Sequence, residues 1–206
     1  GRKDLRPPKR KRGRIRRACI VLTSQEGSLS MFRRCEGTRG ATRSLTRTVL
    51  CTDAIAFLER APFLDGHVIT SLPDIVELPL DGNVDAYRQF LERATRAIFR
   101  RVHRRAIVVF YQSDAKLEGR WFDKSHVIQG VAEAEGVCLL WHKIVTFGDL
   151  SFAAWAARGR PRYSHLLAFS HEVRIDEPWF DASTGPDVIS RGAMPWARAM
   201  GADACD

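Results

Sequence analysis

Short apolar runs alternate with longer amphipathic segments from Ala18 onward, and this alternation constrains the fold more than any other feature. Residues 106–111 are uninterrupted apolar, aromatic or β-branched, which is typical of a central strand covered on both faces. Residues 84–103 carry apolar side chains at spacings of three and four, which predicts a helix with one stripe packed on a sheet. Strands that alternate with helices indicate one α/β domain.

The remaining elements follow from the same patterns. We predict strands over residues 18–23, 48–51, 67–70, 137–145 and 163–170, and helices over 54–60 and around Val127. Asp53 caps the first of these helices, and Asp123 or Ser125 caps the second. No helix of normal length fits between the last two strands unless residues 151–157 form one, so we expect these strands to pair antiparallel.

Basic residues are concentrated at the beginning of a chain whose net charge is +9. Residues 1–17 carry ten Lys or Arg against one Asp, which leaves 23 basic and 23 acidic residues in the rest. Because this segment has little apolar surface to bury, we expect a disordered arm. Arg10, Arg12 and Arg14 are candidates for contacts with nucleic-acid phosphates. A targeting tract or a solubilising tail accounts for the same residues equally well.

Several classes of protein and site are disfavoured by what the sequence lacks. No apolar run approaches the roughly 18 residues of a membrane span. The five cysteines are far apart without a C-x-x-C pair, and the six histidines have no ligand spacing, so we expect no metal site. Reduced thiols fit an intracellular location, in the cytoplasm, the nucleus or an organelle matrix. Neither a G-x-G-x-x-G motif nor a P-loop is present.

Polar or rigid residues follow several predicted strands. In open α/β sheets, ligands bind beyond the carboxyl ends of the strands. The residues at those positions are Asp53, Ser71, Leu72, Pro73, Asp74, Gln112, Asp114, His142 and Lys143. Each has an ordinary structural explanation, such as a helix cap or a turn. Their coincidence on one rim indicates a site.

Three segments resemble a known family. The run Leu64-Asp-Gly-His-Val-Ile-Thr-Ser-Leu-Pro-Asp74 resembles the catalytic strand and loop of the amino-methyltransferases that act on nucleic acids, where aspartate-proline-proline-aromatic follows an apolar strand. Residues 134–143 are similar to the family's sequence of glycine, apolar strand, tryptophan and lysine. Residues 163–170 are similar to its histidine-led final strand. The resemblance covers residues 49–171, in the family's order.

The resemblance implies an S-adenosylmethionine-dependent methyltransferase with a circularly permuted order of its halves. It implies a Rossmann-like class I sheet that is mostly parallel with an antiparallel last strand, and helices on both faces. Ser71 and the Leu72 carbonyl would accept hydrogen bonds from the target amine, within a catalytic loop that includes Pro73 and Asp74. Asp53 would contact the cofactor. Such a site catalyses mainly by positioning the nitrogen against the methyl group.

The loop departs from the family pattern at two positions. Leu72 replaces the first proline, and Asp74 replaces the aromatic that stacks on an extruded base. The carboxylate of Asp74 is suited to contact a base edge, a ribose or an amine, or to accept a proton. Further substrate contacts are expected from Gln112, Asp114, Lys124, His142 and Lys143, although His142 and Lys143 taken singly fit a structural role in the sheet.

The residues after 171 leave more than one function open. We expect residues 18–172 to form the methyltransferase-like domain and residues 173–206 to form an irregular tail that begins a truncated cofactor-binding segment. No glycine-rich turn follows residue 171.

The polar residues at the strand ends favour a methyltransferase acting on a base amine, with RNA preferred because structured RNA exposes unpaired bases. The missing turn favours an inactive methyltransferase-like protein that binds RNA or a ribonucleoprotein. A domain without any nucleic-acid role would follow if the arm were only a targeting tract.

Overall fold

Strands and helices alternate along the chain in the order that the apolar pattern predicts. The computed structural model describes residues 19–24, 46–64, 66–146, 161–177 and 185–191. Its strands are β1 Cys19–Ser24, β2 Thr46–Cys51, β3 Val68–Thr70, β4 Val108–Gln112, β5 Ala115–Leu117, β6 Arg120–Phe122, β7 Cys138–Thr146, β8 Tyr163–Ser170 and β9 Val188–Ser190. Its helices are α1 Ala54–Arg60, α2 Val84–Arg101 and α3 Lys124–Ala134. None of these helices has the length and apolarity needed to cross a membrane.

Five strands form one sheet in the order β3-β4-β8-β7-β9. β3 pairs with β4 in parallel, and β7 pairs with β9 in parallel, while β8 runs antiparallel to both β4 and β7. Four strands therefore share one direction and β8 opposes them. This confirms the expected Rossmann-like sheet with its antiparallel strand over residues 163–170. β1 and β2 pair antiparallel in a separate two-stranded sheet.

The larger hydrophobic core lies on one face of the sheet. It joins apolar residues of all three helices to Val108 and Phe110 of β4 and to Phe169 of β8. The rings of Phe99, Phe110 and Phe169 meet edge to face at centroid distances of 5.3–6.0 Å. Because alternate side chains of a strand face opposite sides, Val109 belongs instead to a smaller cluster with Leu140 and Ala168. Helices on that second face remain a prediction.

The arginines of α2 hold neighbouring elements together. Glu135, just after α3, accepts hydrogen bonds from Arg96 (3.0 Å) and Arg100 (2.7 and 2.9 Å). Arg93 makes a two-bond pair with Glu59 of α1 at 2.7 and 2.8 Å. From the sequence, Arg93, Arg96, Arg100 and Arg104 form a stripe at helical spacing. Such a stripe favours a face exposed to solvent, with nucleic-acid contact as the alternative. The structure gives Arg93, Arg96 and Arg100 a clamping role between helices.

Two elements were not predicted. β5 and β6 form a hairpin after β4, whose turn places Glu118 and Gly119 at positive φ (51° and 75°), as tight hairpin turns require. β9 lies in the segment expected to be irregular and adds to the exposed edge of β7. β9 has only three residues, so its sequence carries no recognisable alternation of apolar and polar residues. Its strand conformation depends on pairing with β7. The basic arm and residues 151–157 lie outside the described residues.

Candidate active site

The segment of residues 71–74 leaves the carboxyl end of β3 and is held by Gln112 at the end of the neighbouring strand β4. The Leu72 N–H donates to Gln112 Oε1 at 2.9 Å, and Gln112 Nε2 donates to the Leu72 carbonyl at 3.0 Å. Gln112 is 2% exposed, so this pair of bonds is shielded from water. A side-chain amide mimics a β-ladder here, because it offers one donor and one acceptor on the same plane. The backbone after β3 is thereby fixed in place.

Two further side chains fix the end of this segment. Tyr87 of α2 donates its hydroxyl to the Pro73 carbonyl at 2.9 Å. Burial, together with the negative charges of Asp74 and Glu77, raises the pKa of Tyr87, so its hydroxyl stays protonated as a donor. The Lys124 ammonium pairs with Asp74 Oδ1 and lies 5.8 Å from the centre of the Tyr87 ring.

The Lys124 ammonium is an unusual feature because its side chain is 1% exposed, whereas the side chain of Asp74 is 53% exposed. A buried ammonium requires a counter-charge, and Asp74 supplies it. The carboxylate is therefore held on one side by Lys124 while its other side faces solvent. This arrangement favours a positioning or hydrogen-bonding role for Asp74 over that of a free proton acceptor.

These residues border an open cleft of about 120 Å³. Its lining residues are Ser71, Leu72, Asp74, Glu77, Tyr111, Gln112, Ser113 and Lys124. Small-molecule sites usually occupy roughly 300–1,000 Å³. The cleft therefore has room for the reacting end of a substrate but not for a whole nucleoside cofactor. Within the described residues, the lining of this cleft suits a small polar group and does not by itself enclose a nucleoside cofactor.

Asp114 is a buried carboxylate whose two oxygens both accept hydrogen bonds. Its Oδ1 accepts from the Lys124 backbone N–H at 2.9 Å, and its Oδ2 accepts from Trp121 Nε1 and binds His165 Nε2, both at 3.0 Å. Burial by itself raises the pKa of Asp114, but the hydrogen bond and charge of His165, with the two N–H donors, outweigh it. The pKa of Asp114 is thus below its ordinary value, and the group is a carboxylate.

A histidine pair continues this network away from the cleft. His165 Nδ1 and His142 Nε2 share a hydrogen bond of 2.8 Å. The Asp114 carboxylate can only accept, so His165 Nε2–H is the donor of that bond, while the direction of the His142–His165 bond follows the tautomers of the two rings. Burial, and then the charge of His165, lowers the pKa of His142, which favours the neutral ring. The chain Asp114–His165–His142 forms a fixed polar seam beside β5 and β6.

One group in this seam has the spacing of a metal site. Ligand atoms of Asp114, Asp123 and His165 lie within 4.8 Å of one another. However, both oxygens of Asp114 already accept hydrogen bonds, and Asp123 Oδ1 caps α3 by accepting from the His126 N–H at 2.8 Å. The observed contacts therefore satisfy these groups without an ion.

The structure brings most of the predicted rim together. Ser71, Leu72, Asp74, Gln112 and Lys124 border one cleft. Pro73 and Asp114 are not in its lining, but the Pro73 carbonyl accepts a hydrogen bond from Tyr87, and Asp114 accepts one from the backbone N–H of Lys124.

Three predicted site residues, Asp53, His142 and Lys143, do not line this cleft. Asp53 accepts the Ala56 N–H at 2.8 Å as the cap of α1, and it follows β2, which lies outside the five-stranded sheet. Lys143 donates to the Pro186 carbonyl at 3.0 Å and so joins β7 to the segment before β9. His142 bonds to His165 instead of lining the cleft. Arg10, Arg12 and Arg14 lie outside the described residues.

Sequence reasoning missed the aromatic residues that surround this site. Tyr87 was expected only to fill the core stripe of α2, and Trp121 and Tyr163 were given no role. The available signal was local: Trp121 lies on a hairpin with a Glu-Gly turn, two residues before a helix cap. An aromatic residue fixed on a tight hairpin beside a polar rim is a common way to present a binding surface.

Comparison with known proteins supports the fold. No family profile and no curated protein matches the chain. Among solved structures, PvuII DNA methyltransferase, which is cytosine-N4-specific, matches with a TM-score of 0.50 and 14% identity over 69% of this chain. TTHA0409 of Thermus thermophilus, a presumed DNA modification methylase, solved in complex with S-adenosyl-L-methionine, matches with a TM-score of 0.44 and 23% identity over 57% of this chain.

Both matches cover only part of the known protein. The match spans about half the length of TTHA0409 (52%) and 56% of PvuII methyltransferase. At this level of identity the likeness concerns the fold alone. Together with the strand order, the PvuII match shows that the described sheet is of the Rossmann-like methyltransferase type.

Proposed function

We propose that this chain belongs to an S-adenosylmethionine-dependent methyltransferase that modifies an amine on a nucleic-acid base. One observation carries the proposal: in a methyltransferase-type sheet, residues 71–74 follow a strand end and are fixed over a cleft by Gln112, Tyr87 and Lys124. Catalysis of methyl transfer depends mainly on positioning, and a segment held by buried bonds supplies it. The resemblance of residues 64–74 to a catalytic amino-methyltransferase loop supports the same assignment.

The chain's own residues would orient the acceptor nitrogen. S-adenosylmethionine, when bound, supplies an electrophilic methyl group on a sulfonium. The Ser71 hydroxyl accepts one N–H of the amine, and the Leu72 carbonyl, which has one lone pair left beside its bond from Gln112, accepts the other. Two acceptors in place turn the nitrogen lone pair toward the methyl group. Asp74, held by Lys124, contacts the edge of the acceptor base.

Nucleic acid is the proposed partner because the fold match is to a DNA methyltransferase and residues 1–17 are strongly basic. The choice between RNA and DNA rests on sequence-level reasoning alone, which favours RNA because its unpaired bases need no extrusion from a duplex.

Methyl transfer is the direct test of the proposal. The full chain is incubated with methyl-tritiated S-adenosylmethionine and with single-stranded RNA, single-stranded DNA or duplex DNA. We expect label to appear in the nucleic acid, and S71A to lower the rate about five- to tenfold, the value of one neutral hydrogen bond. S190A, at an exposed serine of β9 that does not line the cleft, is the matched serine control.

Calorimetry separates the inactive alternative. If the chain shows no saturable heat with S-adenosylmethionine at millimolar concentration, yet binds nucleic acid with a steep salt dependence, the protein is a binding protein and the enzymatic proposal is wrong.

A further inference from the structure

The indole of Trp121 is an aromatic surface that is both exposed and fixed. Its residue is 48% exposed, although large apolar side chains are usually buried. Nε1 donates to the buried Asp114 carboxylate at 3.0 Å, and one face of the ring stacks on Tyr163 with centroids 6.2 Å apart and planes 25° apart. The ring is therefore held at its edge by Asp114 and on one face by Tyr163, and the Lys116 ammonium lies 5.4 Å from its centroid, so a base reaches the exposed ring when this flexible lysine moves away.

This surface is joined to the cleft through a single carboxylate. Asp114 Oδ2 receives the Trp121 indole, and Asp114 Oδ1 receives the backbone N–H of Lys124, whose ammonium lines the cleft. The β5–β6 hairpin starts two residues after the cleft residue Ser113, with Asp114 between them. Trp121 thus lies on the same rim as residues 71–74, at a position set by the network that builds the cleft.

A cation accompanies the exposed ring. Lys116, the cross-strand partner of Trp121, is exposed, and its Nζ lies 5.4 Å from the indole centroid. Glu118 and Asp123 are the nearby acids in sequence, and Asp123 already caps α3. An exposed lysine beside a fixed aromatic ring is the combination that binds single-stranded nucleic acid, since the ring stacks on a base and the ammonium meets a phosphate.

The catalytic loop has no aromatic residue of its own for stacking. Asp74 stands where an aromatic would lie, and it is committed to Lys124. A base brought to this cleft therefore needs an aromatic partner from another element. Tyr111 of β4 lines the cleft but is only partly exposed. Trp121 is 48% exposed, and the Asp114 network attaches it to the cleft residues.

The geometry points to Trp121 as the stacking platform for an unpaired base of a single-stranded nucleic acid, with Lys116 moving from the ring to a backbone phosphate. This inference rests on the proposed function, because it names how the nucleic acid is held beside the proposed methyl-transfer site. It assigns binding to a hairpin that the resemblance does not cover with any motif.

Binding by matched variants tests the platform. The full chain, W121F, W121L and F63L are titrated with short single-stranded RNA and DNA that contain one 2-aminopurine, and anisotropy and quenching are recorded. W121F keeps an aromatic face but loses the N–H donor, whereas W121L keeps apolar bulk without a π-face. Phe63 is 69% exposed and precedes β3, at the opposite end from the cleft, so F63L controls for loss of an exposed aromatic.

We expect W121L to weaken binding about 5- to 150-fold, which is the range for the loss of one stacked base. We also expect it to abolish the quenching of 2-aminopurine fluorescence. W121F should stay within about threefold of the unmodified chain and F63L should match it. Thermal unfolding of each variant shows that it is folded. The inference is overturned if W121L binds like the unmodified chain, if W121F loses as much as W121L, or if the unmodified chain binds neither oligonucleotide.

The labelling assay distinguishes this inference from the proposed function. If label is transferred and W121L binds nucleic acid as tightly as the unmodified chain, the stacking role of Trp121 is wrong and the methyltransferase proposal stands. Trp121-dependent quenching without any label transfer would support the platform and remove the enzymatic assignment.

Discussion

Replacement of Gln112 by leucine tests whether one buried amide holds the catalytic segment. Q112L keeps the side-chain volume and removes both bonds to Leu72, the donor–acceptor pair at 2.9 and 3.0 Å. Leu72 is 8% exposed, so its N–H and carbonyl would be left without partners and largely without water. A buried polar group that loses its partner costs about 1–3 kcal/mol, and two such groups cost about 2–6 kcal/mol.

The apolar leucine recovers part of this loss because the glutamine amide no longer has to be desolvated. We therefore expect Q112L to lower the free energy of unfolding by about 2–4 kcal/mol, which corresponds to a fall in Tm of roughly 5–15 °C for a domain of this size. Urea or thermal unfolding followed by circular dichroism measures it. Gln89 is exposed on α2, and Q89L should change stability by less than about 0.5 kcal/mol.

The same variant has a functional readout. If Gln112 positions residues 71–74, Q112L should lose methyl transfer at temperatures where circular dichroism shows that it is folded. A stability within about 0.5 kcal/mol of the unmodified chain would refute the claim that these two bonds are shielded and strong. Full activity in a folded, destabilised Q112L would refute the positioning role.

Three further outcomes are expected. Glu135, 13% exposed at its side chain, accepts bonds from two arginines of α2, so E135Q should cost about 1–2 kcal/mol in urea unfolding, against almost nothing for the exposed E133Q on the same helix. Burial, and then the charge of a nearby arginine, lowers the pKa of His67 from 6.5, and its Nδ1 accepts the Ile107 N–H at 2.9 Å. Its contribution to stability is thus present above about pH 6.5 and is lost as pH falls through the lower folded pKa; H67N, which accepts without titrating, should flatten the stability profile in that window, and an unchanged profile would contradict the assignment. Deletion of residues 1–17 should weaken nucleic-acid binding and reduce the salt slope by about 0.7–0.9 for each phosphate that the arm neutralises, whereas an unchanged slope would show that the arm binds no phosphate.

The order of elements could be predicted because each is encoded locally. Residues 163–170 contain a short apolar run that predicts a strand, and β8 has those bounds. The apolar stripe of α2 and the cap Asp53 are likewise short-range features, as is Asp123, one of the two caps predicted for α3, whereas the Asn83 cap of α2 was not predicted. The antiparallel direction of β8 was predicted because the sequence between the last two predicted strands fits a helix of normal length only if residues 151–157 form one, and parallel neighbours need such a crossover.

The partners of polar side chains could not be predicted in the same way. Lys124 and His142 were both expected at the substrate, yet Lys124 is buried against Asp74 whereas His142 bonds to His165. Strand alternation separates His142 from Lys143, so two adjacent candidates serve different neighbours. Those neighbours are many residues away in sequence, which leaves no periodic signal to find.

By itself, the sequence determined the α/β class, the directions of its main strands and the polar segment after β3, because hydrophobic period, capping and turn chemistry act over a few residues. Only the tertiary structure decided that Gln112 fixes that segment and that Asp114 serves both Lys124 and Trp121. The Gln112–Leu72 bonds join residues 40 positions apart, and they form only when the packed sheet brings the carboxyl ends of β3 and β4 side by side.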